Sequence, residues 1–334
     1  MSLIPHESLY YEVARAGQVV CQLCPHRCHL KPGEHGSCWA RENRDGTLFS
    51  LTYGKLTAVA LDPVEKKPLY HFFPGRPILS VGGWGCNLKC VFCQNSSISQ
   101  GVAPTREVSV EELAQASREN GSIGVAYTYN EPLVAFEYIL DAARAVRLAG
   151  GKNVLVTNAY VNPEPLAELL PLIDAMNIDV KAFNEDFYHR LCRASLAPVL
   201  DTVREVLGKT HVELTLLLIP GENDAVPELE DMADWIAENC GRDIPTHITA
   251  YFPSYQSQRS ATTAAHLVHA RDIFRSRLDY VYAGNIRIPG GGDTSCRKCG
   301  ETLIRRGAFS VEWSSITPEG DCPRCGSDNH LVLN

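Results

Sequence analysis

No stretch of this 334-residue chain is apolar for long enough to cross a bilayer. Its most apolar run, Leu214 to Pro220 (LTLLLIP), falls far short of the roughly 20 residues a spanning helix needs. A membrane-spanning role is therefore excluded, and no membrane partner is expected. Long blocks of one charge sign are also missing: 31 Lys and Arg against 39 Asp and Glu give 31 − 39 = −8, spread along the chain. That balance argues against a nucleic-acid coat. The N-terminus lacks a basic start followed by a continuous apolar segment, so no secretion signal is read and a cytoplasmic location is expected. Internal repeats and low-complexity tracts are absent as well. What remains, 45% hydrophobic and 21% charged residues, is the composition of a globular chain with room for a catalytic domain and small appendages.

What the chain has in unusual number is cysteine, 13 in all. In a reducing cytosol these are metal ligands more readily than disulfides. Eleven fall into three groups: Cys21, Cys24, Cys28 and Cys38; Cys86, Cys90 and Cys93; and Cys296, Cys299, Cys322 and Cys325. Cys192 and Cys240 stand alone and read as small core hydrophobes without a role.

Between the second and third groups, short apolar runs alternate with amphipathic stretches. Strands are predicted at Ile78–Val81, Ile123–Tyr129, Asn153–Thr157, Asn177–Lys181, His211–Ile219 and Thr246–Tyr251, with a seventh candidate at Asp279–Tyr282. Helices are predicted at Val110–Asn120, opened by a Ser109–Glu112 capping box, and at Leu133–Leu148. Such alternation specifies parallel strands joined by right-handed crossovers, and six or so units fall short of a closed eight-fold barrel. The expected fold is α/β, a partial (β/α)6 barrel with small Cys-rich metal-binding modules at both ends. Pro289 and Gly290 to Gly292 read as a hinge. The expected divisions are 1–75, an N-terminal Cys-rich region; 76–288, the barrel; and 289–334, a zinc-ribbon or rubredoxin-like module.

GWGCNLKCVFCQN places Cys86, Cys90 and Cys93 in a C-x3-C-x2-C spacing just after the first barrel strand, at the end where βα barrels build active sites. Three thiolates can hold three irons of a cubane cluster and leave the fourth iron open to substrate. Zinc would need a histidine as fourth ligand, and none lies in or beside the loop, the nearest being His71. Asn87, Gln94 and Asn95 are polar neighbours without an assigned role.

CNLKCVFC resembles the cluster loop of radical S-adenosylmethionine (SAM) enzymes. That resemblance implies a [4Fe-4S] cluster that cleaves S-adenosylmethionine reductively to a 5′-deoxyadenosyl radical, which abstracts hydrogen from substrate. Phe92 matches the family position that packs near the adenine. Tyr129-Asn130-Glu131-Pro132 resembles the family's Gly-Gly-Glu element, which makes Asn130 and Glu131 cofactor-binding candidates, with Glu131 accepting from the cofactor amino group. Read without the resemblance, Glu131 could simply cap the helix that follows. VTNAY and NIDVKAF are similar to segments of glycyl-radical-enzyme activases. By that similarity Asn158 is a cofactor candidate and Asp179 and Lys181 are catalytic candidates, although a buried ion pair fixing the barrel mouth would give the same Asp and Lys. Glu213, facing the same side of its strand as Thr215, is a further cofactor candidate. Val156 and Ala159 stand where activases carry Asp and Gly, a departure from the activase cation site and peptide pocket. Across nearly the whole chain CQLCPHRCHLKPGEHGSC, KPLYHFFPG, GCNLKCVFCQNSSISQG, YTYNEP, TNAYVNPE, NIDVKAF and YVYAGNI occur in the order found in radical SAM members of the AmmeMemoRadiSam system. The resemblance implies an oxygen-sensitive oxidoreductase with an unidentified substrate, a small molecule in the leading reading and a glycyl-radical protein in the rival one. A one-electron donor of the reduced flavodoxin or ferredoxin type is implied too. A non-catalytic metal-binding adaptor is the reading from outside the enzymes.

Cys21, Cys24, Cys28 and Cys38 follow C-x2-C-x3-C-x9-C, four ligands that close a site. Zinc is the expectation there, with an auxiliary iron–sulfur cluster as the alternative for the same residues. Cys296, Cys299, Cys322 and Cys325 follow C-x2-C-x22-C-x2-C, a zinc-ribbon spacing. The 42 residues from Asp293 to Asn334 are too few for a robust apolar core, so the metal is expected to hold them folded. Five Lys and Arg against six Asp and Glu, 5 − 6 = −1, give that module little attraction for DNA.

Overall fold

The computed structural model describes residues 6–334. Apolar runs rich in Val, Ile and Leu pair in parallel because each crossover carries a helix that covers the sheet. The strands are β1 (Ala58–Pro63), β2 (Pro77–Gly82), β3 (Gly124–Tyr127), β4 (Lys152–Thr157), β5 (Ala175–Asp179), β6 (His211–Leu218), β7 (Thr246–Ala250) and β8 (Val281–Gly284). The covering helices are α1 (Val110–Glu119), α2 (Phe136–Leu148), α3 (Pro163–Leu169), α4 (Ala197–Val206), α5 (Val226–Asn239) and α6 (Ala264–Arg275). The strands lie in sheet order 8-7-6-5-4-3-2-1. β2 to β8 run parallel, while β1, absent from the sequence expectation, adds antiparallel to β2. The sheet ends at β1 and β8 instead of closing, which makes it a partial barrel.

Local chemistry sets the boundaries. The capping box forms as expected: Ser109 Oγ accepts from Glu112 N and Glu112 Oε2 accepts from Ser109 N. The helix expected from Leu133 instead starts as a tight 3-10 turn over Pro132–Ala135 before α2. Strand β3 stops at Tyr127, short of the expected Tyr129, because Tyr129 turns to φ 74 and redirects the chain.

At the N-terminal side, Tyr11–Val13, Val19–Cys21 and His29–Leu30 form one small antiparallel sheet, and His6–Glu7, Thr47–Ser50 and Arg41–Arg44 form another. At the C-terminal side, β9 (Thr294–Ser295), β10 (Thr302–Arg306) and β11 (Val311–Ser314) make the ribbon. The segment Tyr70–Phe73 is clamped between barrel and ribbon. Arg306 Nη2 donates to Tyr70 O at 2.5 Å, Phe73 N donates to Val332 O and Val332 N to His71 O, both at 2.7 Å. The glycine run read as a hinge is fastened by hydrogen bonds, Ala283 N to Gly291 O at 2.8 Å and Gly291 N to Ile288 O at 3.0 Å. No helix among the described residues is long and apolar enough to cross a membrane.

Candidate active site

The loop after β2 carries Cys86, Cys90 and Cys93 onto the wall of a cavity of about 1030 Å³ at the C-terminal ends of the strands. Glycines allow the loop its path: a Cβ on Gly82 would lie 2.8 Å from Thr128 O, and one on Gly85, at φ 86, would overlap Cys38 O. Asn130 holds the same stretch, donating from Nδ2 to Gly85 O at 2.9 Å and accepting from Gly83 N at 3.1 Å. Backbone bonds from Lys89 N to Cys192 O (2.8 Å) and Val91 N to Leu191 O (3.0 Å) brace the far side. Cys192, read from sequence as roleless, has its thiol in contact with that of Cys90.

The three thiols meet donors that suit ligated sulfur. Leu88 N approaches Cys86 Sγ at 3.4 Å, Asn158 Nδ2 approaches it at 3.7 Å, and Cys93 Sγ shares a 3.1 Å hydrogen bond with Ser99 Oγ. Burial raises the thiols of Cys86 and Cys93 above their ordinary range, and the Cys192 contact followed by burial raises that of Cys90. These cysteines stay protonated until a cation displaces the proton, as ligands of a buried metal centre do. The donor set therefore fits a group held by three thiolates.

Glu131 follows β3 and is 2% exposed. Its Oε1 accepts from Leu133 N (3.0 Å) and Thr157 Oγ1 (2.8 Å), and its Oε2 accepts from Asn158 N (2.8 Å). The capping role considered from sequence is thus real, yet it fills only part of the carboxylate. Of about four acceptor positions three are occupied, and the residue lines the cavity. Burial pushes its pKa up to about 7 against these three hydrogen bonds. Asn158 links Glu131 to the cysteine loop: besides its amide bond to Glu131, its Nδ2 donates to Asn87 Oδ1 at 2.9 Å. Ala159 takes φ 57, the left-handed region in which glycine is favoured.

Asp179 and Lys181 also line the cavity and pair at 2.8 Å. Burial works against the Lys181 charge, but the neighbouring Asp179 carboxylate holds it well above the ordinary lysine range. Phe92 is buried in the wall, 5.6 Å from the ring of Phe187. Glu213 is placed differently. It lies at the N-terminal half of β6, outside the cavity lining, accepting from Tyr70 N (2.9 Å), His71 N (2.7 Å), His211 Nε2 (3.0 Å) and His247 Nε2 (2.7 Å). Although burial opposes it, the two histidine bonds hold its carboxyl well below the ordinary range. Glu213 reaches the cavity wall only indirectly, through its bonds to His247 and Tyr70, which both line it.

Several wall residues carry no local sequence signal. Lys66 and Lys67 contribute from the connection between β1 and β2, bonded to Asp62 at 2.9 and 2.7 Å, and Tyr129 Oη donates to the same carboxylate at 2.6 Å. Gly290–Gly292 and residues 305–309 contribute from after it. Only the run KPLYHFFPG hinted at the first set. The second depends on docking of the ribbon.

The flanking cysteines differ in geometry. Among the described residues, Cys296, Cys299, Cys322 and Cys325 are the one group of potential metal ligands whose donor atoms all lie within 4.8 Å of one another. Cys296 and Cys325 sulfurs are 3.6 Å apart and those of Cys299 and Cys322 3.7 Å. Against some burial, hydrogen bonds from Ser327 and from the amides of Cys299 and Lys298 draw the Cys296 thiol down to about 6. Cys21, Cys24, Cys28 and Cys38 line a smaller, separate cavity and do not converge in that way.

Residues 82–236 match the Radical SAM superfamily. Uncharacterized protein MJ0808 of Methanocaldococcus jannaschii is 38% identical over 335 residues, 98% of this chain and 99% of that protein. Pyruvate formate-lyase 1-activating enzyme of Escherichia coli K12 is 26% identical over 150 residues, 42% of this chain and 60% of the enzyme. The (2S)-3-sulfopropanediol dehydratase activating enzyme of Klebsiella oxytoca is 26% identical over 148 residues, 42% of this chain and 47% of the enzyme. These activating enzymes are thus matched over roughly half their length. In fold, Streptococcus suis SuiB bound to precursor peptide SuiA superposes with a TM-score of 0.51 at 14% identity, covering 67% of this chain and 52% of that one.

Proposed function

The chain belongs to the radical SAM superfamily, and from that premise we propose that Cys86, Cys90 and Cys93 hold a [4Fe-4S] cluster whose open iron faces S-adenosylmethionine in the adjoining cavity. When bound, the reduced cluster supplies the electron that breaks the cofactor's sulfonium bond and releases a 5′-deoxyadenosyl radical, which takes hydrogen from the substrate. The observation that carries this reading is the pairing of the three cavity-facing thiols with a buried carboxylate, Glu131, that has one acceptor position left.

In this reading Glu131 accepts a hydrogen bond from the cofactor amino group, and its bonds to Thr157 and Asn158 fix its orientation beforehand. Asn130 and Asn158 keep the cysteine loop in place by their bonds to Gly85 O and Asn87 Oδ1. Phe92 supplies apolar wall for the adenine. Lys181, kept charged by Asp179, presents an ammonium to the substrate side, and the pair is where we place substrate handling. Residues 1–75 and 289–334 serve as metal-binding flanks of the barrel at 76–288, and parts of both complete the cavity wall.

We read the substrate as a small molecule, in keeping with the AmmeMemoRadiSam-type order of motifs, because residues 305–309 of the ribbon wall the cavity. Activation of a glycyl-radical protein is the second reading; the names of the partly matching activating enzymes favour it, and Val156 and Ala159 depart from it. The ribbon cysteines we assign to zinc: 2.3 Å bonds in a tetrahedron put sulfurs about 3.8 Å apart, close to the spacing of 3.6 and 3.7 Å. A flavodoxin- or ferredoxin-type donor is the matching reductant.

The test is electron paramagnetic resonance of the anaerobically reconstituted, reduced protein with and without S-adenosylmethionine. A signal that changes on cofactor addition, and is missing from the Cys86→Ala/Cys90→Ala/Cys93→Ala variant, is expected. A cluster signal in that variant that still responds to cofactor would overturn the assignment.

A further inference from the structure

At about 1030 Å³ the cavity lies at the top of the range for a pocket holding one drug-sized ligand. A cofactor seated on the cysteine loop therefore leaves space for a second molecule. The wall that closes this space comes from the connection between β1 and β2 and from the ribbon, and its charges are unevenly matched.

On the barrel side everything turns on Asp62, which is buried behind the wall. Its carboxylate accepts from Lys66 Nζ (2.9 Å), Lys67 Nζ (2.7 Å) and Tyr129 Oη (2.6 Å), and the Lys67 ammonium lies 4.6 Å over the Tyr129 ring. All three donor residues line the cavity. Two ammonium groups thus share one carboxylate, and the group carries one positive charge more than Asp62 neutralises. The Lys67 side chain is 2% exposed and that of Lys66 45%, so Lys66 is the arm that a ligand can reach.

The ribbon brings a second cation to the same stretch of wall. Glu65 and Arg306 are buried with Arg306 Nε 3.7 Å from Glu65 Oε1, and they draw the two segments together. Lys66 follows Glu65 and Arg305 precedes Arg306, so this pair carries the neighbouring cations with it. Arg305 is exposed, lines the cavity and has no ion-pair partner among the described residues. Nearby carboxylates are already engaged: Glu65 also by Gly75 N at 2.7 Å, Asp293 by Arg306 N at 3.0 Å, and Glu312 by Arg287 at 3.4 Å. Five cations on this wall, the two lysines with Arg287, Arg305 and Arg306, meet four carboxylates, an excess of one. A cavity wall with surplus positive charge is complementary to an anion.

We propose that Lys66 and Arg305 bind an oxyanion of the small-molecule substrate, a phosphate ester or a carboxylate. The proposal deepens the radical SAM reading of this cavity and rests on it for the word substrate. Tyr129 connects the two parts of the site: its hydroxyl bonds Asp62, its carbonyl accepts from Asn95 Nδ2 of the cysteine loop at 2.7 Å, and Glu131 stands two residues on. A substrate anchored here lies next to the place of the cofactor. The ribbon also acquires a task, because Arg305 reaches the cavity only when the ribbon is docked.

The test is equilibrium dialysis of the anaerobically reconstituted full chain, freed of unbound iron, against radiolabelled inorganic phosphate and, separately, malonate, at constant ionic strength in chloride. Wild type is expected to take up one equivalent of the matching anion, phosphate for a phosphate ester and malonate for a carboxylate. Lys66→Gln and Arg305→Gln, both at exposed side chains, are each expected to weaken that binding at least about tenfold, the loss of one charge-assisted hydrogen bond. Arg118→Gln, on α1 and outside the cavity lining, removes the same charge and is expected to leave binding within about twofold. No saturable uptake of either anion, uptake indifferent to Lys66 and Arg305, or an equal loss in all three variants would overturn the site. S-adenosylmethionine is expected to bind together with the anion; mutual displacement would assign these cations to the cofactor carboxylate and overturn the substrate role. The Cys86→Ala/Cys90→Ala/Cys93→Ala variant is expected to keep the uptake. A wild type that binds the anion but gives no cofactor-sensitive cluster signal would overturn the cluster reading and leave the anion site standing, and the reverse pattern would overturn the anion site alone.

Discussion

Glu131 gives the account a quantitative handle, because its ionisation is set by a burial that can be read directly. A carboxyl moved from 4.5 to about 7 costs the fold about 3 kcal/mol when ionised. Between those values the folded protein keeps a proton that the unfolded chain has lost. Native Glu131 therefore binds more protons, and its contribution makes stability fall as pH rises from about 4.5 to about 7 and level off above. In Glu131→Gln the amide oxygen still accepts from Leu133 N and Thr157 Oγ1, but the amide nitrogen faces Asn158 N–H. Losing that acceptor costs about 1–3 kcal/mol at every pH. At pH 5 the variant is expected to be less stable than wild type by that amount. At pH 8 the difference should have moved about 2.5 kcal/mol in the variant's favour, closing or reversing the gap. Urea unfolding of both proteins without S-adenosylmethionine, anaerobically and at equal metal loading, measures it, and the metal contribution cancels in the difference. A gap that stays constant within about 1 kcal/mol from pH 5 to pH 8 would refute the reasoning, since one unit of pKa corresponds to 1.4 kcal/mol.

Glu213→Gln should destabilise the protein by about 2–4 kcal/mol, because a hydrogen-bonded carboxylate between two histidines and two amides is being dismantled; isothermal titration should meanwhile find S-adenosylmethionine affinity within about twofold of wild type, as expected of a group outside the cavity wall. Arg41→Met leaves the Glu137 carboxylate, 1% exposed, without its cation and is expected to cost about 3–5 kcal/mol, measured by denaturation, with the Arg41→Met/Glu137→Met double variant recovering much of it. Stripping the ribbon metal with a chelator should raise amide hydrogen exchange throughout Thr302–Arg306 by at least about tenfold, while α2, packed on β3 and β4, keeps its protection; an unchanged ribbon would mean its small apolar cluster suffices.

Much of this organisation was legible because it is local. Periodicity gave the strands and α1, whose Ser109–Glu112 box lies within one turn, and the C-x3-C-x2-C loop after β2 lands where a strand end must place it. What sequence could not supply is set by contacts between distant segments. β1 pairs antiparallel with β2 at the sheet edge, and its Ala58–Pro63 run has no helix beside it to announce a crossover unit. Gly290–Gly292 carry the composition of a flexible joint, yet their backbone is bonded into the cavity wall. Glu213 and Glu131 look alike as acidic residues in βα units, and only the position along the strand separates them: Glu131 follows the C-terminal end of β3, whereas Glu213 sits near the start of β6 beneath His247. The two flanking cysteine sets likewise each offer four ligands, and it is the close approach of the ribbon sulfurs in space that sets that group apart.

The central claim is that the Cys86–Cys93 loop initiates radical chemistry on S-adenosylmethionine. Its most direct test is 5′-deoxyadenosine release by the anaerobically reconstituted, dithionite-reduced protein, beside Cys86→Ala/Cys90→Ala/Cys93→Ala with both flanking cysteine sets intact. The account predicts release by the wild type alone. Equal release by the variant, or none by a wild type with a verified reducible cluster and bound cofactor, would contradict it.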